Sequence, residues 1–307
     1  MTVYGKAMNL KCDVQYRRGD IGFKLTRVGV TGVRKPVLVR REGKSSTLNG
    51  ALNCSLDIFV DLPAEQKGSH LSRNVEVLKD VVNESITNPV SGLENMASDM
   101  CKKLLVHHEY AQTASVNISA EYFRGSVTPF GRETFEIYKL LAKGHVVRGG
   151  EVRKSIGVEV IGMTACPCAQ QTVTEMLDCS VVVPVMSHNQ RNVCTLMFTV
   201  GENTDIEADE IIDLVQTAFS SPTFELLKRD DEGQVVINAH SNPRFVEDVV
   251  RTALNSVVEK YVDLSDDAEV MVRSESEESI HKHNAFAERT ATMKELREEY
   301  NTGTITQ

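Results

Sequence analysis

Two cysteines separated by one proline, Cys166-Pro167-Cys168, follow directly on an alternating apolar run from Ile156 to Ile161. Pro167 fixes its own φ and drives Cys166 toward an extended backbone, so the spacing predicts a stiff turn after a strand, with the sulfurs aimed by it. A one-residue gap is tighter than that of a zinc knuckle, which favours one thiol as a metal ligand and the other as a reactive neighbour over two thiols on one ion. A pair of buried or disulfide-linked cysteines is the plainer alternative. Further donors follow in the same half of the chain: His188 in Ser187-His188-Asn189-Gln190-Arg191, Glu232 in Lys228-Arg229-Asp230-Asp231-Glu232, and two imidazoles in Ser279-Ile280-His281-Lys282-His283. Cys166, His188, Glu232 and His281 make a mixed sulfur, nitrogen and oxygen set able to hold Zn, Fe(II) or Mn(II), and ligand softness alone does not choose among them. Each also has an ordinary reading, the histidines as satisfied polar residues and Glu232 as part of a solvated charged turn.

Alternate residues of an extended segment share a face, so His281 and His283 are expected side by side. Only one need bind metal, which leaves His283 to shuttle protons near neutral pH or to support its neighbour. A second kind of chemistry is suggested by Lys67-Gly68-Ser69-His70-Leu71-Ser72-Arg73. There Lys67, His70 and Arg73 combine with the backbone N–H groups of a helix start into a candidate anion site, to which Arg191 adds a second positive arm.

The elements that must position these residues read as follows. A Gly-punctuated strand from Leu25 to Pro36 leads to a hairpin of Pro36–Arg41 with Leu52–Leu62. Ser72 is expected to cap a helix through Asn83, and a second helix runs from Leu93 to about His108. Strands at Ser115–Phe123 and Glu133–Leu141 close the first half. Beyond Arg148-Gly149-Gly150 the order recurs: strands at Ile156–Ile161 and Val193–Val200, a helix from Glu207 through Leu227, a helix from Pro243 through Tyr261 capped by Asn242, and strands at Val270 and Phe286. Each half thus reads strand, strand, helix, helix, strand, strand, an α+β fold divided at residues 1–150 and 151–307, the second unit carrying the metal site. Met293–Tyr300 reads as a charged, helix-prone tail.

The motifs Thr164-Ala165-Cys166-Pro167-Cys168-Ala169-Gln170, His188-Asn189-Gln190-Arg191 and Asn242-Pro243-Arg244-Phe245-Val246-Glu247-Asp248, with the His281 and His283 segment, resemble GTP cyclohydrolase of the IB type, in the archaeal branch that serves methanopterin synthesis. The resemblance covers nearly the whole chain. It implies two tandem tunnelling-fold (T-fold) units whose sheets join across subunits, in a homo-oligomer, a tetramer, with sites at subunit interfaces. It assigns metal binding to Cys166, His188, Glu232 and His281, with Fe(II) favoured in this branch. It makes Glu247 the anchor of the guanine edge, which fits a carboxylate's capacity to accept two N–H bonds. The residues themselves suggest catalytic roles for Cys166, Cys168 and His283, and the resemblance lets the Lys67, His70 and Arg73 segment hold the triphosphate from a neighbouring chain. The implied reaction takes GTP to 7,8-dihydroneopterin 2′,3′-cyclic phosphate with release of formate and pyrophosphate; the bacterial branch ends at the triphosphate instead. Two departures from the bacterial pattern, a longer gap between Cys166 and His188 and Ala239-His240-Ser241 where a tyrosine is usual, favour the archaeal product.

Composition narrows the classes. A formal charge of −9 argues against general nucleic-acid binding, which needs a basic face, and the chain lacks Trp. No apolar run approaches the roughly 20 residues of a membrane span, so a cytoplasmic location without membrane attachment is expected. Seven cysteines in 307 residues fit free thiols in a reducing compartment. No Gly-rich phosphate loop is present, which argues against a P-loop GTPase. A reading of a different class is a non-catalytic, metal-bound scaffold, or a purine- or pterin-binding relative that leaves the ring closed.

Overall fold

The computed structural model describes residues 13–40, 50–177 and 184–304. The first unit runs β1 (Leu25–Leu38), β2 (Ala51–Leu62), α1 (Leu71–Thr87), α2 (Leu93–His107), β3 (Thr113–Val127) and β4 (Glu133–Val147). The second runs β5 (Val152–Ala165), α3 (Pro167–Met176), β6 (Asn189–Gly201), α4 (Ala208–Ala218), β7 (Ser221–Pro222), α5 (Arg229–Ser241), α6 (Val246–Lys260), β8 (Glu269–Glu277) and β9 (Ala285–Thr292), followed by α7 (Met293–Thr304). All these strands belong to one antiparallel sheet in the order β1-β2-β3-β4-β5-β6-β8-β9, with β7 paired to β5 off that path. Each unit is therefore a four-stranded antiparallel sheet with helices inserted between its second and third strands, the tandem arrangement expected. The second unit adds three pieces, α3, β7 and α5.

Period-two alternation decides the sheet faces. Along β4 burial alternates with exposure, so Tyr138, Leu140, Ala142 and Val146 face the helices while Phe135, Ile137, Lys139 and Lys143 face away. The covered face packs Leu56 and Ile58 against Leu78, Met96, Met100 and Leu104 in the first unit. In the second it packs Val158, Leu196 and Phe198 with Ile211, Ile212, Val215, Val249 and Val257. These groups form one continuous core. The units are also stapled by a charge: Lys154 on β5, 1% exposed, donates to Asn95 of α2 at 2.6 Å and to Asp205 ahead of α4 at 2.7 Å.

Several boundaries differ from the sequence expectation. The long helix through Leu227 stops at Ala218 because Phe219 turns extended, and β7 follows. Phe219 lies across β5 where Gly162 has no side chain; a Cβ there would stand 2.1 Å from the Phe219 ring. The helix α5 was not anticipated. Asn242 ends α5 instead of capping α6, which begins at Val246 after Phe245, and Pro243 lies between them. His70, not Ser72, precedes α1. β1 continues unbroken to Leu38 past a bulge at Gly32, whose φ of +66 suits glycine, so the hairpin is β1 with β2; Arg41 lies outside the described residues.

Candidate active site

Antiparallel order places the connections β1–β2, β3–β4, β5–β6 and β8–β9 at one end of the sheet, and the β4–β5 hairpin with the connections into α1 and α4 at the other. Cys166, His188, His281 and His283 all lie in hairpin connections of the second unit, at the first of these ends.

Cys166 terminates β5 and caps α3. Its φ and ψ are extended, its sulfur accepts the Ala169 N–H at 3.5 Å, and Pro167 occupies the first helical position, where no backbone donor is needed. The Cys-Pro-Cys turn is thus the start of a helix. Ala165 pairs with Asn189 as the last regular rung between β5 and β6, and the Cys166 N–H extends it by donating to the His188 carbonyl at 3.1 Å. Ser187 Oγ donates to the Cys166 carbonyl at 2.6 Å. Gln170, one turn along α3, donates to the carbonyls of Val185 and His240 at 2.8 and 2.7 Å, and the Arg244 N–H reaches the Ala165 carbonyl at 3.0 Å. These bonds draw the end of α5 and the start of α6 against the Cys166 turn. Behind it a fully buried ladder, Ser274 Oγ to Asn192 Oδ1 and Asn192 Nδ2 to Ser276 Oγ, ties β6 to β8.

His188 Nδ1 stands 3.0 Å from Gln190 Oε1 and 3.7 Å from Glu278 Oε2, and Gln190 Nε2 donates to Glu278 Oε1 at 3.2 Å. Gln190 Oε1 can only accept, so the proton sits on Nδ1 and the Nε2 lone pair is left for a ligand. The His188 and His281 rings meet edge-on at 6.3 Å, and His281 stacks on His283 at 5.1 Å. The 281–283 segment is bent, not a strand, yet the two rings lie together. Glu278 was missed by sequence reasoning, because in Glu275-Ser276-Glu277-Glu278 it reads as one more solvated acid.

Cys166 is half-buried and Cys168 exposed, and both are free thiols, which removes the buried or disulfide-linked pair as an account of them. Cys54, Cys101 and Cys194 are core residues whose thiols burial pushes up to about 12. Cys12 and Cys179 lie outside the described residues.

Three other candidates of the second unit lie on α5, α6 and β6. Glu232 is exposed on the first turn of α5, eight residues before His240 and so about 12 Å from it along the helix axis. Its neighbours Asp230 and Asp231 are both held by Arg132 from the β3–β4 turn. Glu247 is exposed on the first turn of α6, close to the Cys166 turn through the Arg244 to Ala165 bond. Arg191 is exposed on β6 opposite Met163 and Glu277.

Lys67, His70 and Arg73 lie at the other end of the sheet. Val60 aligns through Ala114 and Val146 with Val152, the start of β5, whereas Cys166 follows its end, and 14 strand residues separate these levels by roughly 40 Å. Each has a local partner: Lys67 pairs with Asp20 at 3.1 Å, His70 Nε2 with Asp13 at 2.7 Å, and Arg73 donates to the His107 carbonyl and Tyr16 hydroxyl. The His70 bond holds the Asp13 carboxyl below its ordinary range. Underneath, Ser69 meets Tyr110, Tyr110 meets His108 Nδ1, and His108 Nε2 meets Asn74 Oδ1, at 2.7, 2.9 and 2.7 Å. Burial presses the His108 pKa down to about 4, so the ring is neutral.

The donor chemistry of Cys166, His188 and His281 suits a borderline divalent ion. Among the described residues, however, no three His, Cys, Asp or Glu side chains already stand around one point as a finished metal cage. No described helix is long and apolar enough to cross a membrane.

The sequence profile described as type I GTP cyclohydrolase folE2 matches residues 12–287. The chain is similar to "GTP cyclohydrolase MptA 1" of Methanocella arvoryzae, at 43% identity over 94% of this chain and 95% of the relative. It is likewise similar to "GTP cyclohydrolase MptA" of Methanosphaera stadtmanae and of Methanothermobacter thermautotrophicus, each at 42% identity, covering 94% and 95% of this chain and 97% of each relative. Among solved structures, uricase from Arthrobacter globiformis aligns at a TM-score of 0.48 with 11% identity, over 87% of this chain and 93% of that one. That last likeness decides nothing about chemistry.

Proposed function

The chain belongs to the type I GTP cyclohydrolase folE2 family, and from that premise we propose that it converts GTP to 7,8-dihydroneopterin 2′,3′-cyclic phosphate, releasing formate and pyrophosphate. It is an enzyme, a GTP cyclohydrolase of methanopterin biosynthesis. The observation that carries the site reading is the convergence of Cys166, His188 and His281 at one end of the second unit, with the start of α6 and its Glu247 drawn in beside them.

In this reading Cys166, His188 and His281 hold a divalent ion, Fe(II) with Zn or Mn as substitutes, and Glu232, the fourth donor that the resemblance assigns, stands at the far end of α5 within one chain and has to be brought to the ion by a shift of α5 or by a second copy. When bound, the ion supplies Lewis-acid activation of the water that attacks C8 of guanine. Glu247 accepts the N1–H and exocyclic N–H of the guanine edge, which orients C8 toward the cluster and rejects adenine. His283, stacked on His281, moves the proton that ring opening releases. Cys168, exposed one helical position beyond Pro167, meets the substrate or an intermediate.

Lys67, His70 and Arg73 lie too far from Cys166 to serve the same site within one chain, so the triphosphate is gripped by a second copy, with Arg191 adding charge from the first. That requirement favours a homo-oligomer, a tetramer, with composite sites. A cytoplasmic setting keeps Cys166 and Cys168 reduced. The test is anaerobic incubation of the metal-free chain with GTP and Fe(II), reading formate and, after oxidation, pterin fluorescence, with the product's mass to separate cyclic phosphate from triphosphate. Ring-opened product is expected only with metal; GTP recovered intact would sink the reading, and a triphosphate product would correct its last step.

A further inference from the structure

The helix α5 is poorly held by apolar packing. Its buried side chains are Asp231, Val235 and Ala239, a single i, i+4, i+8 stripe headed by a charge, while Val236 and Ile237 are half exposed. Polar contacts at its two ends therefore decide where it lies. At the far end from Cys166, the Asp231 side chain is fully buried and accepts the Phe130 N–H at 3.1 Å, the Lys228 N–H at 3.3 Å and the Arg132 guanidinium; a second arm of Arg132 reaches Asp230 at 2.7 Å. Phe130 and Arg132 belong to the first unit. At the near end, the His240 carbonyl accepts from the Gln170 side chain and the His240 ring meets the Ser187 carbonyl at 3.2 Å, so the helix terminates on Gln170, one turn along α3 from Cys166, and on Ser187, whose hydroxyl donates to the Cys166 carbonyl.

We propose that Arg132 is a positioning residue for the Cys166 site: through Asp231 the β3–β4 turn of the first unit anchors α5, and α5 in turn fixes Glu232 at one end and the Gln170, Ser187 and Cys166 contacts at the other. Arg132 suits this work because its planar fork engages two carboxylates at once, and removing it strands a buried carboxylate. Loss of the anchor frees α5 to slide along its narrow apolar stripe, which loosens the donors without removing any of them. The inference rests on the reading of Cys166 and His188 as metal-holding residues.

The experiment titrates the metal-free full chain, anaerobically, with Co²⁺ alone, reading the thiolate-to-cobalt absorption band and the dissociation constant by chelator competition. Arg132→Gln is expected to weaken Co²⁺ about tenfold and change the band, the size of effect seen when the outer supports of metal ligands are lost. Arg132→Lys, which keeps a cation beside Asp231 without the fork, falls between. Val77→Ala, a core truncation away from α5, leaves affinity and band unchanged, which separates positioning from general loosening. Cys166→Ala is measured alongside: if it leaves Co²⁺ binding intact, the metal reading fails, whatever Arg132 does. If Cys166→Ala abolishes binding while Arg132→Gln keeps parental affinity and band, the positioning role is overturned. Should Arg132→Gln not fold, Asp231→Asn, which keeps one acceptor oxygen for the Phe130 N–H but loses the charge and the oxygen shared by Lys228 and Arg132, is judged by the same two readings.

Discussion

The N–H of Cys166 donates to the carbonyl of His188 at 3.1 Å, one rung beyond the last regular pair of β5 and β6. Twenty-two positions apart in sequence, the two residues are set side by side by a strand ladder, so their spacing is governed by sheet geometry and not by the loop between them. The longer gap noted in the sequence costs the pair nothing.

Cys166→Ala is expected to abolish turnover and to lower bound metal after anaerobic reconstitution, because it removes the one thiolate donor of the cluster. Metal content by mass spectrometry and formate release on the same sample check it; full metal with full turnover would remove Cys166 from the site.

Gln190→Leu should cost about 10- to 100-fold in metal affinity without touching a ligand, since Gln190 Oε1 keeps the proton on His188 Nδ1. Chelator competition measures this. Unchanged affinity would mean that the His188 tautomer is fixed by something else.

Glu247→Gln replaces a two-way acceptor with a group that turns an N–H toward a guanine N–H. An unmet polar pair of that kind costs about 1–3 kcal/mol, or roughly 5- to 150-fold in affinity. GTP binding should weaken by that much with metal retained, whereas equal affinity for parent and variant would rule out the anchor.

Cys168→Ser is expected to keep metal and lower anaerobic turnover. The parent enzyme should lose activity in air, because two free thiols flanking Pro167 are open to oxidation. Unchanged turnover would make Cys168 a bystander, and lost metal would make it a ligand.

His108 makes stability depend on acid. Its pKa falls from an ordinary 6.5 to about 4 on folding, so between those values the unfolded chain binds the extra proton. The stabilisation is complete above about pH 6.5 and is lost as pH falls toward 4, at most about 3 kcal/mol. Denaturant midpoints measured across this range should drop for the parent, and the slope should flatten in His108→Gln.

The eight long strands and their covered faces were legible because alternation is a local signal. Val158 and Val160, or Leu56, Ile58 and Val60, announce a covered face in any context. The helix α5 was not legible, since three buried positions beginning with an aspartate make no apolar period, and its hold comes from Arg132 about a hundred residues upstream. Glu278 was hidden for a similar reason: only the β6–β8 pairing brings it to Gln190 and His188. Charge pattern made Lys67, His70 and Arg73 visible, but nothing local could reveal that they sit at the opposite end of the sheet.

Lys154 bears on how the chain was assembled and how it must fold. Its ammonium is satisfied only when α2 of the first unit and the loop ahead of α4 of the second are both in place, and the strands on either side of residue 150 share a full ladder from Lys139 to Val146. Cutting there would strand a buried charge in one fragment and lay bare a long sheet edge in each, the template for mispairing with other chains. Two units that repeat in topology are thus expected to unfold as one cooperative body, and neither half is expected to fold when expressed alone.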